Sequence, residues 1–124
     1  MAKILVVDDS ETLRDQLKEV LEKQGHQVIQ GHDGVNGLEV LKANPDTSLI
    51  ICDVNMPNMN GLTMCGKVKD DSSINKIPIF MLTTESDEAL MAQGKGVGVI
   101  AWITKPFVEA KLLGAVNKIL SMKK

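Results

Sequence analysis

Short apolar runs recur along the chain, and four of them end in polar residues that suit a single reaction. Ile4-Leu5-Val6-Val7 precedes Asp8-Asp9, and Leu49-Ile50-Ile51-Cys52 precedes Asp53. Ile79-Phe80-Met81-Leu82 precedes Thr83-Thr84, and the run from Val99 to Thr104 precedes Lys105-Pro106. Runs without polar alternation read as parallel strands covered on both faces. Strands are therefore expected over residues 3–8, 49–53, 79–83 and 99–104, with a shorter one at 27–30. The segments between them carry helical spacing. Leu13, Leu17, Val20 and Leu21 form one stripe, and Gly25 supplies its stop. A second helix is expected over 34–42, ended by Asn44-Pro45, and a third over 62–69 with Leu62, Cys65 and Val68 inward. The last, over 108–121, gathers Leu112, Val116, Ile119 and Leu120. Residues 87–93 are expected to be helical without an apolar stripe, broken off by Gly94, Gly96 and Gly98. The stretches 55–61 and 70–76 read as polar loops. Strand and helix alternating in this way imply right-handed crossovers and a doubly wound α/β sheet.

Composition narrows the partners. The 124 residues suffice for one domain with one sizeable core, and no linker or repeat divides residues 1–124. Hydrophobic residues are 44% of the chain, which excludes a disordered tail. The formal charge is −2 and no Lys/Arg cluster tracks a phosphate backbone, so no nucleic-acid partner is expected. No apolar stretch approaches the ~20 residues of a membrane span. With the first strand at Lys3, no signal peptide and a cytoplasmic, monomeric protein are expected. Cys52 and Cys65 read as buried free thiols.

Ligands of open α/β sheets bind beyond the carboxyl ends of the strands, so the four end groups share one rim. Asp8, Asp9 and Asp53 would crowd like charges there, raising one another's pKa and destabilising the fold unless a cation neutralised them. Oxygen ligands with no His or Cys nearby select a hard ion, and Mg²⁺ suits them best. Each residue also has a plainer reading. Asp8, Asp9 or Ser10 could cap a helix, and Lys105 could be an ion-pair partner or a phosphoryl holder. Thr83 suits a strand on propensity alone, and Thr84-x-x-Asp87 has the form of a capping box. Their joint arrival carries the signal, a magnesium site beside a phosphate-accepting aspartate. His26 and His32 lie near the second strand, outside this rim, and read as surface residues.

Four motifs together resemble the receiver domains of two-component response regulators, most closely the chemotaxis type, over essentially the whole chain. They are Val6-Val7-Asp8-Asp9-Ser10, Asp53-Val54-Asn55-Met56-Pro57-x-Met59-Asn60-Gly61, Leu82-Thr83-Thr84-Glu85-Ser86 and Trp102-Ile103-Thr104-Lys105-Pro106-Phe107. The resemblance implies a flavodoxin-like, five-stranded parallel sheet in the order 2-1-3-4-5 with five helices. It implies that Asp53 is the phosphoacceptor. It further implies that Asp9, Asp53 and the Asn55 backbone carbonyl ligate Mg²⁺, with Asp8 acting through water. Thr83 and Lys105 would hold phosphoryl oxygens, and Lys105–Pro106 would be a cis peptide. The implied donor is a phosphohistidine on a histidine kinase or phosphotransfer domain. The implied target is a flagellar motor switch protein or another phosphorylation-dependent partner, with a phosphatase to clear the mark.

Asn55 and Glu85 flank the path of the hydrolytic water and are expected to tune the lifetime of the mark. Trp102 stands where Tyr or Phe is usual in that family. It is expected to be the switch aromatic, turning inward as Thr83 moves onto the phosphoryl group. Thr84 is larger than the Ala or Gly of many receivers and should narrow access. A phosphate sink or phosphorelay shuttle would keep this chemistry and change the output. An aspartyl phosphatase would want a second acid two residues beyond Asp53, where the chain has Asn55. A nucleotide switch would need a Gly-x-x-x-x-Gly-Lys-Ser/Thr loop, which is missing. A flavin carrier would have one Trp and no Tyr for stacking. A signalling protein that is not an enzyme is the expectation.

Overall fold

In the computed structural model, which describes residues 2–122, the apolar runs become the strands of one parallel sheet. They are β1 (Lys3–Val7), β2 (Gln27–Gly31), β3 (Leu49–Cys52), β4 (Ile79–Thr83) and β5 (Val99–Thr104), ordered β2-β1-β3-β4-β5. Between and after them run α1 (Glu11–Glu22), α2 (Gly34–Ala43), α3 (Gly61–Lys69), α4 (Glu88–Gly96) and α5 (Glu109–Ser121). The sheet order and the five-helix complement are those implied by the receiver resemblance.

The runs are apolar throughout because successive side chains enter opposite cores. Ile4, Val6, Leu49, Ile51, Phe80 and Leu82 pack with Leu17 and Leu21 of α1 and Leu112 and Val116 of α5. Leu5, Val7, Ile50, Cys52, Ile79 and Met81 face the other way, onto Leu38, Leu41, Met64, Cys65 and Val68 of α2 and α3. Each such side chain contributes about 1.5–3 kcal/mol on full burial, so a polar residue on either face would be costly. Both cysteines are free and buried. Among the described residues, no helix is long and apolar enough to cross a membrane.

Helix starts are set by short polar side chains. Ser10 Oγ accepts from Leu13 N, Asp33 Oδ1 from Asn36 N and Asn60 Oδ1 from Thr63 N. At α4 the cap is Asp87, whose carboxylate accepts from Ala89 N and Leu90 N at 2.7 and 3.2 Å. The capping box read from Thr84 is thereby corrected, since Thr84 stands outside the helix and exposed. Gly25, at φ 88°, follows α1 as its stop. The expected end of the fourth helix at Gln93 is also corrected, because α4 continues to Gly96. Gly94 is a contact and not a breaker: a Cβ there would lie 2.8 Å from Trp102 Cζ3. The 70–76 loop, read as polar, buries Ile74 at 1% exposure.

Candidate functional site

Register alone brings the strand ends together. Val7 pairs with Cys52, Cys52 with Met81 and Thr83 with Thr104. Asp53 N donates to Val7 O at 3.0 Å, and Lys105 N donates to Thr83 O at 2.9 Å, so the residues just past each strand stay aligned. Asp8, Asp53 and Thr83 are buried at 2%, 6% and 0% exposure, whereas Asp9 is exposed.

One ammonium bridges two of the acids. Lys105 Nζ donates to Asp8 Oδ2 at 2.8 Å and to Asp53 Oδ2 at 3.0 Å. The other oxygens are held by backbone amides, Asp8 Oδ1 by Ser10 N at 2.8 Å and Asp53 Oδ1 by Val54 N at 2.7 Å. Burial pushes the Asp8 carboxyl above its ordinary range, and the charge of Asp53 adds to this. The bonds from Lys105 and Ser10 only partly offset them. Burial pulls the Lys105 ammonium down, but its bonds to Asp8 and Asp53 outweigh that and leave it above an ordinary lysine.

One carboxylate oxygen from each of Asp8, Asp9 and Asp53 lies within 4.8 Å of the others. Three acids against one lysine leave an excess of negative charge among hard oxygen donors. That donor set fits a small divalent cation with room for water.

A second set of contacts closes the rim from the α4 side. Asn55 Nδ2 donates to Glu85 Oε2 at 2.7 Å, and Trp102 Nε1 donates to Glu85 O at 2.7 Å. Glu85 N in turn donates to Thr83 Oγ1 at 3.3 Å, and among the described residues the Thr83 hydroxyl is seen only as an acceptor, so its proton can be offered to another group. The Trp102 ring is partly buried against the core shared with α2 and α3. The Lys105–Pro106 peptide is cis.

Some supporting residues lay outside the four motifs, or, like Gly61, stood in one without an assigned role. Arg14, the only arginine, donates from Nη1 to Asp8 O at 2.6 Å and from Nε to Gln30 Oε1 at 2.9 Å, fixing the acidic loop to α1. A Cβ at Gly61 would fall 1.8 Å from Asp53 O, so only glycine lets α3 start against that carbonyl. Asp33 and Asn58 bond to one another across the loop after β3. From sequence, the cues available were a lone arginine between helix-stripe positions and the glycine that ends the Asp53 motif. His26 Nδ1 accepts from Ala2 N at the opposite end of β2 from the rim, whereas exposed His32 follows Gly31, the partner of Val7, and lies at the β2 edge of the rim beside Asp33, which corrects its expected place outside it.

Response regulator receiver domains match residues 4–117 of this chain. The chain belongs to that family of two-component signalling proteins. The receiver is 42% identical to chemotaxis protein CheY1 of Helicobacter pylori over 119 residues, covering 95% of this chain and 96% of that protein. It is 35% identical to protein PilH of Pseudomonas aeruginosa over 122 residues, covering 98% and 99% of the two chains. Among solved structures it is similar to chemotaxis protein CheY4 of Vibrio cholerae. That match has a TM-score of 0.90 and 36% identity, covering 96% of this chain and 98% of that one.

Proposed function

We propose that Asp53 accepts a phosphoryl group from a phosphohistidine on a histidine kinase or phosphotransfer domain, and that the mark switches binding to a downstream partner. The observation that carries this is the single ammonium of Lys105 shared by Asp8 and Asp53 within a cluster of three carboxylates. Asp9, Asp53 and the Asn55 carbonyl would hold Mg²⁺, with Asp8 acting through water. Bound there, the ion supplies positive charge against the repulsion between a carboxylate and an anionic phosphoryl group.

A carboxylate oxygen of Asp53 attacks phosphorus, the donor P–N bond breaks, and the imidazole nitrogen leaves with the electron pair. Lys105 is already within hydrogen-bond reach of Asp53 and can pass to a phosphoryl oxygen. Thr83, at the end of β4, offers its hydroxyl proton to another. A groove of about 680 Å³ runs from Lys105 and Pro106 past Phe107, Leu13 and Val20, open to an approaching donor. Water attacking the same phosphorus returns the carboxylate and releases phosphate. Asn55 and Glu85, bonded to one another, stand over that path and set its rate.

The indole of Trp102 is already turned in, tied to Glu85 O and seated on Gly94. Phosphorylation therefore acts by weighting this conformer over an outward one, as Thr83 is drawn to the phosphoryl group. The face that reads out the change holds Met91 at 39% and Ile100 at 53% exposure, beside Trp102. A flagellar motor switch protein is the proposed target, given the similarity to proteins named for chemotaxis.

The test is intact mass after incubation with phosphoramidate, with MgCl₂ or with EDTA, for wild type and Asp53→Asn. One magnesium-dependent phosphate on wild type and none on the variant is expected. An adduct that survives Asp53→Asn would overturn the assignment.

A further inference from the structure

The loop between β3 and α3 carries Asn55, and α2 grips that loop from the side. Asp33 is only 3% exposed and commits both carboxylate oxygens. Oδ1 accepts from Asn36 N at 2.8 Å, which caps α2. Oδ2 accepts from Asn58 Nδ2 at 2.7 Å, a bond to a residue 25 positions away. A helix cap needs only the first of these. Beside them Gly34 N donates to Met59 O at 3.1 Å. A Cβ at Gly34 would lie 2.5 Å from that same oxygen, so helix and loop meet backbone to backbone. Asn58 sits at φ 66°, in the left-handed region that Asn and Asp tolerate better than other non-glycine residues. Its side chain is thereby aimed at Asp33, and the bond between them offsets the cost of that backbone.

We propose that Asp33 is a positioning residue for the metal site. Through Asn58 it fixes the loop after β3, and with it the place of the Asn55 carbonyl, without touching the ion itself. This rests on the reading of the rim as a magnesium and phosphoryl site. Groups that orient metal ligands from outside the coordination sphere are worth about 10–100-fold in metal affinity when removed. The lower end applies here, because Asp33 acts through a loop.

The experiment compares wild type, Asp33→Asn, Asn58→Asp and the double variant. Asp33→Asn keeps a capping oxygen but sets two amide groups donor to donor. Asn58→Asp sets two carboxylates face to face, and the double variant exchanges the roles and restores one donor and one acceptor. Magnesium affinity is measured by calorimetric titration with MgCl₂. Amide hydrogen exchange is followed at Met59 and Gly61 in metal-free protein, because these amides bond within the loop to Pro57 O and Val54 O.

Each single variant should bind magnesium about tenfold more weakly and exchange faster at both amides, with recovery in the double variant. Exchange in α5 should quicken by no more than the fall in global stability read from urea unfolding, and exchange at Met59 and Gly61 by more, which separates a loosened loop from a loosened fold. Unaltered loop exchange or unaltered magnesium affinity in folded single variants would overturn the proposal, as would a double variant no better than the singles. A wild type that binds no magnesium would overturn the reading of the rim instead, and loop exchange would still decide whether Asp33 holds the loop.

Discussion

Gly94→Ala sets a gain in helix propensity against a clash, and the structure says which wins. The added methyl would lie 2.8 Å from Trp102 Cζ3, 3.4 Å from Cε3 and 3.5 Å from Val99 Cγ2. The helix itself favours the change, since Gly inside a helix is about 1 kcal/mol worse than Ala. Trp102 opposes it. Its ring is rigid, and Nε1 is tied to Glu85 O at 2.7 Å. The overlap can be relieved by lifting α4 from β5, and overpacking of that kind costs about 1–3 kcal/mol. Alternatively the indole swings away and gives up a hydrogen bond worth about 0.5–1.5 kcal/mol net, along with its packing. Either cost equals or exceeds the gain, so Gly94→Ala should leave the protein between about 0 and 2 kcal/mol less stable. In a Trp102→Leu background the obstacle is gone, and the same substitution should stabilise by up to about 1 kcal/mol. The assay is urea unfolding of the four proteins followed by far-UV circular dichroism, which needs no tryptophan. The expected signature is a change of sign between backgrounds, a coupling of about 1–3 kcal/mol. Equal stabilisation by Gly94→Ala in both backgrounds would refute the packing of Trp102 on α4.

Three further outcomes are expected. Gly61→Ala should cost about 3 kcal/mol or more, because its methyl would fall 1.8 Å from Asp53 O and neither backbone can yield without moving the rim; an unchanged urea midpoint would contradict the close approach. MgCl₂ should stabilise the wild type by about 2.7 kcal/mol at a hundredfold excess over its Kd, and far less in Asp9→Asn or Asp53→Asn, as read from thermal unfolding across a magnesium series. Asp33 is held below its ordinary carboxylate range, first by the Asn36 amide and then by Asn58, with exposed His32 adding a smaller pull. Its stabilising contribution is therefore complete above an unfolded pKa of about 3.9 and is lost as pH falls through the lower folded value. Asp33→Asn should trail wild type by about 1–2 kcal/mol at pH 6, a gap that closes in urea titrations taken below about pH 4.

The strands were legible because burial on both faces leaves an unbroken apolar run, and α1 and α5 because half-exposure leaves a stripe. The order of the strands was not legible from pattern. Nothing local to Lys3–Val7 says that it lies between β2 and β3, and the order came through the family motifs. The end of the fourth helix was misplaced for a physical reason. Its inward contacts are made by Gly94 and Leu90, while Met91 is 39% exposed, so the apolar residues share no single face and a glycine completes the packed one. A glycine read as a breaker was a surface for an indole. Thr84 and Asp87 were both chemically able to cap that helix. The structure uses Asp87, and Glu85 between the two gives its carbonyl to Trp102 and its carboxylate to Asn55.

The rim shows the same division at the level of chemistry. Asp8, Asp53, Thr83 and Lys105 could be placed together from sequence, because parallel register delivers every strand end to one side without further information. Arg14, Asp33 and Asn58 could not, because each acts on a partner chosen by loop conformation across the fold. The two groups have different jobs. The first supplies charge and a hydroxyl where phosphoryl transfer would occur, and the second fixes the backbone that carries them. Both buried acids already use one oxygen on a backbone amide and the other on Lys105. Phosphorylation of Asp53 would consume one of those acceptors. Its bond to Asp8 would keep the ammonium in place to meet a phosphoryl oxygen. The new charge would thus meet groups already in position, and the free energy of its contacts would be left to act on Thr83 and, beyond it, on Glu85 and Trp102.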